Sequence, residues 1–153
     1  MWTDDELQRV LLSWEGTPYM KGQQVKGVGV DCWRFVDAVM AELHGIQHEP
    51  LPRIAPDLNL HSSTEVYRLV KLAVGRYPHR LLKSHEPVLP GDSVIVKPSA
   101  HAGPGHILVA GVEPNSLWHA INGLGVARTS LAVAGHLYCI YRPLERQPLE
   151  RQA

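Results

Sequence analysis

The chain has 153 residues, 44% of them hydrophobic, and its 15 lysines and arginines are matched by 15 aspartates and glutamates. That length and apolar content describe one domain able to bury a single core without a metal or disulfide staple. The balanced charge offers no basic field to a polyanion, so nucleic acid is not an expected partner.

The start, Met-Trp-Thr-Asp-Asp-Glu, is acidic where a secretory leader is basic and then apolar, and no stretch approaches a membrane span. The expectation is cytoplasmic synthesis without a signal peptide and without membrane insertion. Residues 3–14 follow as an amphipathic helix, with Thr3 and Glu6 as a capping box and Leu7, Val10, Leu11 and Trp14 on one face. Residues 15–30, rich in glycine, form a loop. From Asp31, placed as an N-cap, Phe35, Val36, Val39, Met40 and Leu43 recur at helical spacing until Gly45 stops the run.

Residues 46–62 are rich in Pro, Asn and Asp and read as irregular, and Ser63 to Val74 as a second amphipathic helix closed by Gly75. An antiparallel sheet occupies 92–143, with strands at about 93–97, 106–112, 116–121, 126–130 and 136–142 and turn signals at Asn122-Gly123 and Ala134-Gly135. The last ten residues, 144–153, form a tail after a single domain of 1–143. Helices first and strands second make the fold class α+β.

Cys32 is the residue with the clearest chemical meaning. It opens a helix, where unpaired N–H groups and the positive end of the dipole favour a thiolate and offer donors to an oxyanion. The expectation is therefore an activated thiol. His106 begins a buried strand and His119 lies on the strand paired with it across a turn at Glu113-Pro114-Asn115. Spacing permits both rings to meet at one end and does not force it. Cys139, in a strand of aromatic and β-branched neighbours, is expected to be core.

Other constellations are weaker. Cys32 with His101, His106 and His119 lacks the paired spacings of a zinc site, so no metal and no cofactor is expected. His44, His48, His61, His79 and His85 read as solvated histidines, and His136 as a structural residue at a strand start. Gly27-Val28-Gly29 has neither the preceding strand nor the Gly-Lys-Ser/Thr of a phosphate loop. Trp14, Trp33 and Trp118 flank the candidate site, as core or rim residues or as groove lining, and Asp31 is first of all a cap.

Five blocks, Ser-Trp-Glu-Gly-Thr-Pro-Tyr (13–19), Gly-Val-Asp-Cys (29–32), Leu-Pro-Gly-Asp-Ser-Val-Ile-Val (89–96), Gly-His-Ile-Leu-Val (105–109) and Trp-His-Ala (118–120), together resemble the NlpC/P60 family of cysteine peptidases, in the family's order. The resemblance implies a papain-like NlpC/P60 fold, with N-terminal helices packed on a C-terminal antiparallel sheet of about five strands. It implies Cys32 as nucleophile, His106 as general base and acid, and His119 as the residue that orients His106. It also implies substrate-binding or oxyanion roles for Tyr19 and Asp31, Asp31 as a contact to a substrate amine; Trp33, which flanks Cys32, is a third substrate-binding candidate as groove lining.

The substrate it implies is a peptidoglycan stem peptide, cut between D-glutamate and the diamino acid. Many members carry Ser-Gly after the cysteine, where this chain has Trp33 and Arg34, so its groove differs. The Asp-Cys-Trp-Arg-Phe-Val form is similar to a subgroup associated with phage tails and related particles. That implies tail or baseplate proteins as partners and action in the wall or periplasm of a target cell. A binding or structural tail-tip module with a vestigial centre is the alternative.

Overall fold

A computed structural model describes residues 2–46, 68, 71, 75–83 and 85–144. The chain is α+β. Helix α1 (Asp4–Trp14) is followed by a small hairpin of β1 (Gln24–Val25) and β2 (Gly29–Val30), then helix α2 (Cys32–His44). Next come β3 (His79–Lys83), β4 (Ser93–Lys97), β5 (His106–Ala110), β6 (Leu117–Ile121), β7 (Gly125–Thr129), the one-turn helix α3 (Leu131–Ala134) and β8 (His136–Pro143). β3 to β8 form one antiparallel sheet in the order β3-β8-β4-β5-β6-β7.

The helix termini follow from local chemistry. The Thr3 hydroxyl accepts the Glu6 N–H at 3.1 Å while the Glu6 carboxylate accepts the Thr3 N–H, closing the capping box at α1. Asp31 caps α2 by accepting the Arg34 N–H at 3.0 Å, and Gly45, in the left-handed region at φ 64°, ends it.

Helix α2 is more deeply buried than its pattern predicts. Its apolar residues Phe35, Val36 and Val39 are wholly inaccessible and pack on Ile95, Ile107, Val109, Trp118 and Ala120 of the sheet and on Leu11 and Trp14 of α1. Each such side chain contributes about 1.5–3 kcal/mol of burial. The opposite face is covered too, because Asp37 receives Gln24 Nε2 at 3.0 Å, Arg76 Nη1 at 3.3 Å and the Tyr77 hydroxyl. A polar side chain on a helix reads as solvated until its partners are known, and these lie 13 to 40 residues away.

Three sequence expectations change. Residues 15–30 are not all loop, since Gln24–Val25 pairs with Gly29–Val30. The sheet has six strands among the described residues and not five, because His79–Lys83 pairs along β8; His79 is therefore a strand residue against the Tyr141 ring, 4.9 Å between centroids, and not a loop histidine. The Ala134-Gly135 signal ends a helical turn and not a simple hairpin. Of the helix expected at 63–74 only residues 68 and 71 are described, both helical; the irregular stretch expected at 46–62, beyond Ile46, and the tail after Leu144 lie outside the described residues.

The opposite face of the sheet carries a second cluster, Val94, Val96, Leu108, Ala110 and Leu117, packed by Val88, Leu131, Ala134 and Leu137. Between the two faces, Asp92 and Arg142 form a buried two-pronged ion pair, Nε to Oδ1 and Nη2 to Oδ2 both at 3.0 Å, which ties the Leu-Pro-Gly-Asp turn to β8. Gly91 in that turn has φ 87°, and the ring of Trp2 fills the space a Cβ would need.

Candidate active site

The site begins where two strands part. Pairing of β5 with β6 is confined to Val109 with Trp118 and Ala110 with Leu117. Ala110, on the other edge of β5, exchanges bonds with the turn before β4, its N–H to Asp92 and its carbonyl from Gly91. Below Val109 the Ile107 N–H meets the Cys32 sulfur at the N-terminus of α2, together with the N–H groups of Cys32 and Trp33. Three backbone donors therefore converge on one thiol, two of them helix-end N–H groups without carbonyl partners.

His106, the residue before Ile107, and His119 stand on the two parted strands, and His106 Nε2 lies 2.9 Å from His119 Nδ1. The bend that sequence spacing left open is made here. His119 is buried and His106 half-buried. Since Nε2 of His106 is engaged, Nδ1 is the nitrogen left for the thiol; no hydrogen bond joins it to Cys32 among the described residues. For Nδ1 to accept the thiol proton, neutral His106 must carry its own on Nε2 and donate it to His119, an inference from the network.

Tyr19 completes the group. Its loop is held as an extra strand edge on β7, with Gly16 N–H to the Val126 carbonyl and Val126 N–H to the Thr17 carbonyl, both 2.9 Å, and Tyr19 bridges to Val30. Gly125, at φ 74°, leaves room for the Thr17 carbonyl where a Cβ would collide. The Tyr19 hydroxyl is pushed up to about 12 by burial and by the nearby Cys32 and Asp31.

The remaining sequence candidates sit elsewhere. Asp31 is 1% exposed, and its carboxylate takes three donors: Arg34 N–H and Nη1, the latter at 2.5 Å, and Gly22 N–H at 2.8 Å. In this arrangement it presents no face to a substrate amine. Trp33 is 1% exposed and lies under the Arg34 guanidinium, 4.2 Å from ring centroid to Cζ. It is core, as is Trp118. Cys139 is a buried free thiol. Arg34, which the sequence reading treated only as a departure from pattern, is fully buried beside the nucleophile.

Electrostatics reverse one expectation. Burial, and then the Asp31 charge, push the Cys32 thiol up to about 12 from an ordinary 9.0, although the three N–H groups act in the other direction. A helix terminus contributes about 0.3–1 kcal/mol, less than one pKa unit, and desolvation exceeds it. His106 moves down to about 4, through burial and then His119. The resting pair is a neutral thiol and a neutral imidazole, not a preformed ion pair. Among the described residues no group of three His, Cys, Asp or Glu side chains is arranged to hold a metal ion.

Cys32 at a helix N-terminus and the His106–His119 pair on an antiparallel sheet make up the candidate centre. Known structures specify the fold further. The NlpC/p60 domain of the peptidoglycan hydrolase SagA superposes with a TM-score of 0.56 at 16% identity, over 90% of this chain and 97% of that one. An NlpC/P60 family protein from Bacillus cereus gives 0.60 at 18% identity, over 93% of this chain and 40% of that one. Ly7917, solved with the hydrolysing product of MDP, gives 0.53 at 12% identity, over 92% of this chain and 63% of its own. The chain thus has the NlpC/P60 fold, and it spans about two fifths of the Bacillus protein. Neither a family model nor a curated protein sequence matches it.

Proposed function

We propose that the protein is a cysteine peptidase that hydrolyses an amide bond in peptidoglycan stem peptides, the bond between D-glutamate and the diamino acid. The observation that carries this is the position of Cys32 against the N–H of Ile107, the residue after His106, which pairs with His119 where β5 and β6 separate, on an NlpC/P60 fold. The substrate class is supported by the structural relatives, one a peptidoglycan hydrolase and one solved with the hydrolysing product of MDP.

The chemistry runs from a neutral dyad. As Sγ attacks the carbonyl carbon, its proton passes to His106 Nδ1, and His119 accepts the Nε2 hydrogen bond of the imidazolium that forms. The oxyanion receives the Cys32 N–H and the Tyr19 hydroxyl. Collapse breaks the C–N bond, the amine leaves with the proton from His106, and water, deprotonated by the same ring, hydrolyses the thioester.

The Asp-Cys-Trp-Arg-Phe-Val form of the motif supports a carrier, a phage tail or gene-transfer particle that brings the enzyme to the wall of a target cell. Purified particles are then expected to contain the chain at low copy number. A second reading, a structural tail-tip module with a vestigial centre, is favoured by the raised thiol and the unmade Cys32–His106 bond. Incubation with defined muropeptides, with fragments identified by mass, separates the two. Cleavage at the D-glutamyl bond supports the peptidase, and intact muropeptides after prolonged incubation support the module.

A further inference from the structure

Two residues past the nucleophile the chain buries an arginine, and an arginine is almost never fully buried without a specific partner. Arg34 is 1% exposed, and both its backbone N–H and its guanidinium engage the Asp31 carboxylate, on Oδ1 at 3.0 Å and on Oδ2 at 2.5 Å. Asp31 immediately precedes Cys32 and is equally buried, so little solvent screens its charge from the sulfur. The charged and titratable groups around the sulfur are Asp31 from the start of α2 and Tyr19 from the loop before β1, with Arg34 behind Asp31 and with His106, paired to His119, preceding the Ile107 N–H that meets the sulfur. Of these, Arg34 alone is permanently positive.

We propose that Arg34 is a positioning residue for catalysis, a buried counter-ion that holds the Asp31 carboxylate in its capping geometry and offsets its field at Cys32 so that the sulfur can take up negative charge during attack. This rests on Cys32 as the nucleophile. The Asp31 charge opposes ionisation of both Cys32 and Tyr19, while Arg34 stabilises the Asp31 carboxylate and carries the opposite charge beside it. A small residue at position 34 would leave the carboxylate with only its two backbone donors. The guanidinium also stacks on Trp33, which fixes it from the far side.

The test is the pH dependence of Cys32 alkylation by iodoacetamide between about pH 7 and 10, read by peptide mass so that Cys139 is scored separately. Thermal unfolding is followed in parallel. Arg34→Met should move the profile to higher pH and slow alkylation at a given pH about tenfold, the effect of a neighbouring charge worth roughly one pKa unit. Arg34→Lys should restore most of it. Asp31→Asn should move the profile the other way, and Asp31→Asn combined with Arg34→Met should fall back to the wild-type position or below. A purely structural arginine would lower the melting temperature and leave the profile in place, which overturns the proposal. If Arg34→Met does not fold, Asp31→Asn decides, since an unmoved profile there removes the field that Arg34 is said to offset. Alkylation needs no substrate, so the proposal can fail while muropeptides are cleaved, or stand while they are not.

Discussion

His106 Nε2 and His119 Nδ1 are 2.9 Å apart, and this one contact engages Nε2 and leaves Nδ1 as the nitrogen available to a thiol. The two rings therefore fail differently when removed. His106→Ala should reduce turnover by about 10² to 10⁴, the range of general acid–base catalysis. His119→Asn should cost less, because an amide oxygen still accepts the Nε2 hydrogen and keeps the tautomer. His119→Leu, which cannot accept, should cost more than His119→Asn. Steady-state rates on one muropeptide rank the three, and a tolerated His106→Ala would exchange or abolish the roles.

Cys32→Ala should eliminate hydrolysis and leave the melting temperature close to wild type. The thiol is only partly buried, at the edge of the core, and replacing it removes one sulfur that three backbone N–H groups otherwise meet. Phe35→Ala in the same helix is the contrast, since that ring is fully inaccessible and its loss should cost about 3–5 kcal/mol. Parallel unfolding and activity measurements distinguish a chemical loss from a structural one.

What could be read from the sequence was what short-range chemistry determines. The Thr3–Glu6 box, the Asp31 cap and the Gly45 stop are each completed within four residues, and all three form as expected. Strand β3 was missed because its sequence, His-Arg-Leu-Leu-Lys, has no alternation and only Leu82 is buried; it is a strand because β8 pairs with it. The meeting of His106 and His119 depends on β5 and β6 parting before Val109, a property of two strands and a helix together. The burial of Arg34 and Asp37 is not legible at helical spacing, because it depends on a carboxylate, a glutamine, a tyrosine and a second arginine supplied by the fold. The thiol's raised pKa follows from desolvation, which no residue pattern displays.

A neutral dyad has a pH signature. His106 is active when unprotonated, and with its pKa lowered to about 4, kcat/KM should hold well below pH 6.5 and fall only toward pH 4. The same shift bears on stability. The folded value lies below the unfolded 6.5, so the unfolded chain binds the proton first as pH falls. The contribution is complete above about 6.5 and lost progressively toward 4, on the order of 1–2 kcal/mol for this half-buried ring. Asp31, whose carboxyl is raised by burial despite Arg34, acts in the opposite sense and does not produce acid loss. His106→Gln should flatten the stability slope between pH 6.5 and 4 while abolishing activity, and chemical denaturation across that range measures it.

Tyr19 can be tested directly and through the glycine that seats its loop. Its hydroxyl stands beside Cys32 and Asp31 and stays protonated, since its pKa is raised to about 12, so it remains a donor throughout the working range. Tyr19→Phe should lower kcat about 10- to 10³-fold with little change in KM, as expected for a donor that meets charge only in the transition state. Gly125→Ala should reproduce part of this loss from a distance. Its Cβ would collide with the Thr17 carbonyl, and φ 74° strains any side chain there, so the segment 16–19 must move away from β7 and carry the hydroxyl with it. The two changes should not add, because a displaced loop leaves the phenol nothing further to lose. Full additivity in the double variant would mean that Gly125 affects the enzyme by some route other than Tyr19.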